Sequence, residues 1–444
     1  MTSQFAEVSP ERRREILDAL RRGTVPQRSL DAFAVGLDRF VAALDDDLAL
    51  VQRGGSVFKA VRGDYGSGKT FFSRWLEERA RRLGFATSEV QISEGETPLH
   101  KLETVYRRLL ERLATREQPS GAFRSVIDGW LFALEQDVLA EGTVAETDSE
   151  RLLARTTALL EQRLSAISRT APAFAAALRG YRQATADGRS EFAEGLLAWV
   201  SGQPNVAAEI KRSALIRGEV DHFAALAFLQ GLLVVLRDAG HPGLLVVLDE
   251  VETLQRVRGD VRERGLNALR QLLDEVDAGR FPGLFLVITG TPAFFDSPQG
   301  VQRLAPLAQR LHADFATDAR FDNPRAPQLR LTNFDQARLE EVGRRVRDIY
   351  AHGSPERERL TKLADDAYVA DLARAVAGSL GGRVGVAPRL FLKKLVGDVL
   401  DRIEQFPDFD PRRHYELTLG ESELTLVERE ARGEVSPDDV EISL

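Results

Sequence analysis

The chain contains no cysteine and only six histidines among its 444 residues. Without cysteine it forms no disulfide, offers no thiolate to a metal and uses no cysteine nucleophile. The histidines are scattered without the spacing of metal ligands, so we interpret each of them as structural. This composition excludes the common zinc and thiol chemistries, and it suits a reducing cytoplasm.

Positive charge is also in deficit, with 60 Lys and Arg residues against 68 Asp and Glu residues and a formal net charge of −8. The whole molecule therefore offers no bulk attraction for nucleic acid, and any DNA contact must be local. The longest apolar runs, such as Leu244–Leu248, have the length of a strand and not of a membrane span. The N-terminal residues lack the basic and apolar regions of a secretory signal. We therefore expect a cytoplasmic protein that has no membrane partner.

The apolar patterns predict an α/β fold with a parallel sheet, a large helical insertion and a C-terminal helical lid. Strands are predicted at residues 56–61, 86–92, 244–248 and 284–288. Helices are predicted at residues 9–22, 69–83, 99–113, 261–278, 361–377 and 387–404, and along an apolar stripe from Leu30 to Leu44. The stretch at about 115–240 is almost wholly helical in pattern and is longer than an ordinary connection, so we interpret it as an insertion.

Four divisions of the chain follow from these patterns. They are an N-terminal helical segment (residues 1–55), a core with the insertion (56–325), a lid subdomain (326–406) and a loosely ordered tail (407–444).

A P-loop motif lies between the first predicted strand and the next helix. The sequence Gly63-Asp64-Tyr65-Gly66-Ser67-Gly68-Lys69-Thr70 fits G-x-x-x-x-G-K-[ST] in the context that separates this motif from a chance match. Its glycines let backbone amides face phosphates at a helix N-terminus. Lys69 then reaches the outer phosphates, and the Thr70 hydroxyl ligates Mg²⁺. The motif, with Phe71 directly after it, predicts a site for ATP and Mg²⁺.

An acidic pair supplies the second signal that a P-loop requires. The apolar run Leu244–Leu248 ends in Asp249 and Glu250. Asp249 is predicted to hold Mg²⁺ through its water shell, and Glu250 to orient and deprotonate the attacking water. We interpret the nearby Glu252 and Glu263 as acids of a solvated face. Together the two motifs predict Mg²⁺-dependent hydrolysis of ATP.

The strand predicted at 284–288 ends in Thr289-Gly290-Thr291-Pro292. A polar residue at the tip of the strand beside the acidic one can contact the attacking water or the γ-phosphate. Thr289 is the candidate for this role and Thr291 is the reserve, although such a turn needs no functional explanation.

The chain resembles the AAA+ superfamily of P-loop NTPases, and within it the origin-recognition and Cdc6-like branch, by pieces that occur in the superfamily's order. These pieces are Gly63–Thr70, Leu245–Glu250, Leu286–Thr291, Gln309–Leu311 and, in a helical lid, Pro388-Arg389. Two longer sequences, Arg62–Phe72 and Gly243–Glu252, are similar to the BREX ATP-binding proteins of the BrxD kind and their P-loop relatives. The resemblance covers roughly residues 10–425. It implies ATP with Mg²⁺, a bacterial anti-phage defence locus, a helicase-like partner and DNA as the ultimate target.

The resemblance also implies roles for residues outside the two motifs. Arg310 resembles the arginine finger that projects into the site of a neighbouring subunit, and Arg303 is a competing candidate. Arg389 resembles the second sensor, which touches the γ-phosphate in its own subunit, and Arg383 is its rival. The segment Val25-Pro26-Gln27-Arg28 resembles the adenine-side element of the branch. A shared ATP site implies a homo-oligomer.

Two functions from different classes are consistent with these observations. The leading hypothesis is an oligomeric ATPase that remodels DNA or loads a partner onto it, with DNA bound directly or through the helicase-like partner. The alternative is a nucleotide-regulated scaffold or signalling switch with slow or no turnover, and the intact acidic pair favours hydrolysis. A stand-alone helicase is not favoured, since only the nucleotide motifs are present. Candidate DNA contacts lie in Arg79–Arg82, Arg344–Arg347 and Pro411–Arg413, but each run is flanked by acids and is also explained by a solvated helix face.

Overall fold

The centre of the molecule is a five-stranded parallel sheet. The computed structural model describes residues 8–142, 144–145, 147–380, 388–424 and 428–429. The strands are β1 (Val57–Arg62), β2 (Ala86–Gln91), β3 (Leu244–Asp249), β4 (Leu284–Gly290) and β5 (Gln328–Arg330). They lie in the order β2-β3-β4-β1-β5, and every neighbouring pair is parallel. With helices packed on it, this sheet gives the α/β P-loop NTPase fold that the sequence predicts.

The fifth strand is absent from the sequence predictions. β1 to β4 occupy the predicted positions within two residues at each end. β5 has only three residues, Gln328–Arg330, and it directly follows Pro327. A segment this short contains no apolar run from which a strand could be predicted. Its pairing with β1 from Ala60 to Arg62 forms an edge of the sheet. A strand this short is defined by its neighbour and not by its own sequence.

Two helices precede the sheet, α1 (Pro10–Arg21) and α2 (Asp38–Gln52). The helix predicted along the stripe from Leu30 to Leu44 is wrong in its first half, because α2 begins only at Asp38 and the chain forms a 3₁₀ turn at Leu30–Ala32. A tertiary contact explains the difference. The carboxylate of Glu78 accepts hydrogen bonds from the backbone amides of Ser29 and Leu30, at 2.7 and 2.9 Å, and fixes this turn.

The segment between β2 and β3 is helical, as predicted, and it covers one face of the sheet. Its helices are α4 (Leu102–Glu111), α5 (Phe123–Ala140), α6 (Ser149–Thr170), α7 (Pro172–Ala186), α8 (Ser190–Val200), α9 (Ala208–Ser213) and α10 (His222–Asp238). Trp130, Phe174 and Phe228 from these helices belong to the same buried cluster as Val246 and Leu286 from the strands. The insertion therefore shares a continuous core with the sheet.

The remaining core helices connect the strands. They are α3 (Lys69–Arg82), α11 (Gly259–Asp277), α12 (Pro292–Asp296) and α13 (Ala305–Arg310). α3 begins at the P-loop, and α11 follows the acidic pair.

The lid is a group of helices after β5. They are α14 (Gln336–Gly353), α15 (Arg357–Leu363), α16 (Asp366–Ser379), α17 (Pro388–Lys393) and α18 (Asp401–Gln405), and a π-helical stretch at Lys394–Leu400 joins the last two. The single helix predicted at 361–377 is wrong, since α15 and α16 are separate. Asp365 begins the second of them as its N-cap, by accepting a hydrogen bond of 2.8 Å from the amide of Tyr368.

An ion pair holds the first helix of the chain on the lid. Arg21 of α1 makes two hydrogen bonds of 2.7 Å to the carboxylate of Asp401. After the lid comes a short helix, α19 (Pro411–His414), so the predicted tail is ordered at its start. The end of this tail, residues 430–444, lies outside the described residues.

Alternate side chains of β3 belong to two different cores. Val246 and Leu248 pack with the insertion, whereas Leu245 and Val247 pack with the N-terminal helices and the lid. This division follows from the period of two in a strand that is buried on both faces. Among the described residues, no helix combines the length and the apolar character that a membrane span requires.

Candidate functional site

The P-loop motif forms a turn that only its glycines permit. Gly66 and Gly68 have φ values of +82° and +91°, a region that other residues rarely occupy. At Gly63, a β-carbon would lie 2.3 Å from the hydroxyl of Ser67, so the backbone could not close around that side chain. Among the residues that the structure describes, the buried Ser67 hydroxyl has no hydrogen-bond partner. An unpaired buried donor at a helix N-terminus is suited to an anionic ligand.

Lys69 is the first residue of α3, and its ammonium group is buried in the loop. It donates hydrogen bonds to the carbonyl oxygens of Gly63 and Asp64, at 2.9 and 3.3 Å. The ring of Tyr65 lies over it, with 5.1 Å between the ammonium nitrogen and the ring centroid. The cation therefore lies where the predicted phosphates would bind, and loop carbonyls hold it there.

Thr70 and Asp249 meet at the carboxyl ends of β1 and β3. The Thr70 hydroxyl lies 3.4 Å from Oδ2 of the Asp249 carboxylate. A hydroxyl beside a carboxylate suits Mg²⁺, which prefers oxygen ligands and keeps several waters. Within the described part of the chain no three His, Asp or Glu side chains surround a common metal position. The protein would thus supply few of the ligands, and phosphate oxygens and water the others.

Thr289 orients the acidic pair from β4. Its buried hydroxyl donates a hydrogen bond to Oδ1 of Asp249 and accepts one of 3.1 Å from the amide of Glu250. Thr291, the reserve candidate, caps α12 by accepting a hydrogen bond from the amide of Phe294. The structure therefore places Thr289 in contact with the acids and gives Thr291 a structural contact.

Glu250 has a left-handed backbone conformation, with φ of +60° and ψ of +40°. Such a conformation is uncommon for a residue other than glycine and occurs often at functional sites. Its Oε2 accepts a hydrogen bond of 2.9 Å from the amide of Gln91, the last residue of β2. Sequence reasoning missed Gln91. The only signal was its position at the end of the strand beside the acidic one.

The interpretation of Glu252 as a solvated acid is wrong. The residue is 4% exposed, and its carboxylate lies 3.8 Å from the ammonium group of Lys69. Burial raises the pKa of Glu252, against the lowering effect of Lys69. The turn at Glu250 redirects the chain, and a 3₁₀ helix at Val251–Gln255 brings this side chain back to the site. Glu263, by contrast, is exposed, as expected.

A cavity of about 340 Å³ opens next to these groups. This volume is at the lower end of the range for small-molecule sites. It is lined by residues 65–70 of the P-loop, by both acids, and by the predicted adenine-side residues Val25 and Pro26, together with Phe71. The carbonyl of Val25 accepts a hydrogen bond of 2.7 Å from Arg74 of α3, which ties the segment to the P-loop helix. Most of the predicted nucleotide-binding residues thus share one cavity, whereas Gly63 and Asp64 do not line it.

Arg256 is a further residue that the sequence did not reveal. It follows the 3₁₀ helix after the acidic pair, and its guanidinium donates a hydrogen bond of 3.0 Å to the hydroxyl of Tyr65 in the P-loop. The contact joins two segments that are 191 residues apart. It places a second cation of the same chain beside the P-loop.

Arg389, the predicted second sensor, lines the cavity but is paired within the chain. Its guanidinium donates hydrogen bonds to both carboxylate oxygens of Glu428 and to the carbonyl of Glu423, the last at 2.6 Å. The neighbouring Lys393 also donates to the Glu423 carboxylate, at 2.9 Å. A C-terminal segment therefore occupies the arginine. The rival candidate, Arg383, lies outside the described residues.

Arg310 lies away from the cavity of its own chain. One of its nitrogens is 2.7 Å from Asp274 and another is 3.6 Å from Asp277, both on α11. The competing candidate Arg303 is 3.7 Å from Glu263. Both arginines are partly exposed. An arginine finger acts in the ATP site of a neighbouring subunit, so this role stays a prediction.

The three basic runs are paired with acids of the same chain. In the first run, Arg79 makes two hydrogen bonds of 2.6 Å to Asp45. In the second, Arg347 is buried and lies 2.6 Å from Asp366. The remaining arginines, Arg81, Arg82, Arg344, Arg345, Arg412 and Arg413, each have a carboxylate within 4.0 Å. This pairing favours the interpretation of each run as an ion-paired helix face.

The comparisons with known proteins agree with the geometry of the site. The model of one family, described as BREX system ATP-binding protein BrxC/D, matches residues 8–419. This match includes the P-loop, the acidic pair and the whole lid with Arg389. Neither the curated proteins nor the solved structures provide a match.

Proposed function

Since this chain belongs to the family of BREX system ATP-binding proteins BrxC/D, we propose that it binds ATP together with Mg²⁺ and hydrolyses the γ-phosphate bond. The convergence of Lys69, Thr70, Asp249 and Glu250 beside one cavity carries this proposal. These residues come from two separate segments, which follow β1 and β3, and the sheet brings the ends of those strands to one edge. Ligands commonly bind at that edge of a parallel sheet.

Each side chain has a role that its position supports. Lys69 and the P-loop amides bind the outer phosphates, and the buried hydroxyl of Ser67 has no partner within the described ranges of the chain. Thr70 and Asp249 would hold Mg²⁺, which when bound supplies positive charge next to the transferred phosphoryl group. Glu250 orients and deprotonates the attacking water. Thr289 keeps Asp249 and the Glu250 backbone in position.

The wider role extends beyond one chain. We propose a cytoplasmic, homo-oligomeric ATPase of an anti-phage defence system, with an ATP site that Arg310 completes from a neighbouring subunit. Its target is DNA, reached directly or through a helicase-like partner. The ion pairs of the basic runs support the route through a partner.

A second candidate function is a nucleotide-regulated switch with slow turnover. Two observations favour it: Gln91 occupies an oxygen of Glu250, and the C-terminal segment occupies Arg389. In this conformation both groups are engaged away from a nucleotide. Such a protein would bind ATP and change its assembly without rapid hydrolysis.

The test is the rate of phosphate release by the purified full chain, measured with ATP and Mg²⁺, with EDTA, and with or without duplex DNA. Mg²⁺-dependent turnover that Glu250→Gln removes would support the ATPase. Tight ATP binding without turnover, with or without DNA, would instead support the switch. Absence of ATP binding under every condition would refute both functions.

A further inference from the structure

Glu252 is held in the cavity by packing and not by hydrogen bonds. It lies on the 3₁₀ helix after Glu250, between Val251 and Leu254, which are both buried. α11 packs closely on this turn, because a β-carbon at Gly265 would lie 2.5 Å from the side chain of Leu254. The backbone that carries Glu252 is therefore held in place beside the cavity.

The charge of Glu252 is poorly compensated. Both of its oxygens are buried, and neither accepts a hydrogen bond of good geometry within the described part of the chain. Its nearest cation is Lys69, at 3.8 Å, which already donates to two loop carbonyls. Burying a carboxylate without hydrogen-bond donors lowers the stability of the folded protein, so such a group at a binding site calls for a functional explanation.

The neighbouring acids differ from Glu252 in this respect. Asp249 accepts hydrogen bonds from the hydroxyls of Thr289 and Thr70, and Glu250 accepts one from Gln91. Donors thus partly offset the charge of those two carboxylates. In the described part of the chain Glu252 has no such donor, and its nearest compensating charge is the ammonium group of Lys69.

We propose that Glu252 determines which form of the nucleotide this site accepts: its buried carboxylate repels metal-free ATP and admits ATP that carries a divalent cation. The proposal rests on the ATP site proposed above. A phosphate that reaches Lys69 must also approach Glu252, since the two side chains are 3.8 Å apart. Metal-free ATP brings about four negative charges, and bound Mg²⁺ neutralises two of them.

The size of the effect follows from the charge separation. At an effective dielectric constant of about 20, the repulsion between two unit charges about 6 Å apart corresponds to about a hundredfold change in affinity. Screening by solvent at the open side of the cavity reduces this value. We therefore expect Glu252→Gln to strengthen binding of metal-free nucleotide about tenfold.

The experiment measures the dissociation constant of a non-hydrolysable ATP analogue by calorimetry, in Mg²⁺ and in EDTA. For the wild type we expect much weaker binding in EDTA. Glu252→Gln should bind about tenfold more tightly in EDTA and within about twofold of the wild type in Mg²⁺. Glu252→Asp keeps the negative charge, so its dissociation constants should be close to those of the wild type both in Mg²⁺ and in EDTA. Thermal melting without nucleotide checks that each variant is folded.

The matched control is Glu263→Gln, which removes the same charge from an exposed position that lies outside the cavity. It should leave both dissociation constants unchanged. If Glu252→Gln keeps the wild-type ratio between the two conditions, or loses binding in Mg²⁺, the role assigned to Glu252 is wrong while the ATP site stands. If the wild type binds the analogue in neither condition, the ATP site itself is wrong.

Discussion

The side-chain amide of Gln91 at the end of β2 donates a hydrogen bond of 2.9 Å to the carboxylate of Glu250 at the end of β3. The two strands are adjacent in the sheet, and Gln91 pairs in register with Asp249. The carboxylate of Glu250, the proposed general base, is thus held by Gln91, which lies 159 positions away in the sequence.

We expect Gln91→Ala to raise basal ATP turnover. Removing the amide frees a carboxylate oxygen that must accept the proton of the attacking water, and a hydrogen bond of about 0.5–1.5 kcal/mol corresponds to a two- to tenfold change in rate. Steady-state phosphate release measures it. Gln203→Ala is a matched control, because that amide donates to Glu111 in the insertion, at 3.0 Å. Equal turnover in Gln91→Ala and the wild type would show that the contact does not restrain Glu250.

Lys69→Ala and Glu250→Gln should fail in different ways. The first removes the cation at the phosphate position and should weaken ATP binding by about ten- to a hundredfold, the range for charge-assisted hydrogen bonds. The second keeps the cation and should bind ATP normally while turnover falls by about 10²–10⁴. Calorimetry and phosphate release on the same preparations separate the two effects. Normal turnover in Glu250→Gln would assign the base to another residue.

The arginine finger can be tested by mixing variants. Arg310→Ala should bind ATP but hydrolyse it about 10³–10⁵ times more slowly, since such a finger stabilises charge on the transferred phosphoryl group. Mixing it with Lys69→Ala should restore some turnover, because one variant supplies a sound P-loop and the other a sound finger. A mixture that co-assembles and stays inactive would exclude Arg310, and the same mixture with Arg303→Ala would then be examined.

The pairing of Arg389 with Glu428 predicts a gain of activity. Glu428→Gln weakens the contact that occupies the arginine, so turnover should rise about two- to tenfold if a free Arg389 assists hydrolysis. Arg389→Ala should lower turnover, and the double variant should match Arg389→Ala. Asp371→Asn, which breaks an exposed ion pair with Arg374 on α16, is the control. A rise in turnover that persists in the double variant would contradict the role of Arg389.

Glu423 should make stability depend on acidity. Burial opposes its ionisation, but hydrogen bonds from Lys393 and Lys394 outweigh burial and lower the pKa of Glu423 from 4.5 to about 2. A lowered pKa contributes stability above the unfolded value, and this contribution is lost as the pH falls from about 4.5 to about 2. Glu423→Gln should therefore melt below the wild type at pH 7, and the difference should shrink between pH 5 and pH 3. A constant difference across that range would contradict the ion pairs.

The parts of the site that the sequence could predict are those encoded by contiguous residues. The P-loop and the acidic pair are local motifs, and their strand contexts follow from apolar runs. Gln91, Arg256 and Glu428 could not be found this way, because each acts through a contact with a distant segment. The error at Glu252 has a sharper cause. Three residues after a strand a charged side chain is usually in water, but the left-handed turn at Glu250 reverses the chain and buries it.

The same distinction explains the fold. β1 to β4 are visible because their own residues are apolar, whereas β5 is a strand only through its pairing with β1. The stripe from Leu30 to Leu44 has a helical period, yet the carboxylate of Glu78 binds the amides that would begin the helix. In both places a tertiary contact overrides the local pattern.

The alternation of side chains along β3 couples the stability of the two cores of the chain. A single strand of six residues inserts Val246 and Leu248 into the core beneath the insertion, and Leu245 and Val247 into the core beneath the lid. If either core unfolds, one face of β3, the strand that leads to the acidic pair, is exposed to solvent. Heating should therefore give one calorimetric peak, and excision of residues 115–240 would leave an insoluble remnant instead of a minimal ATPase.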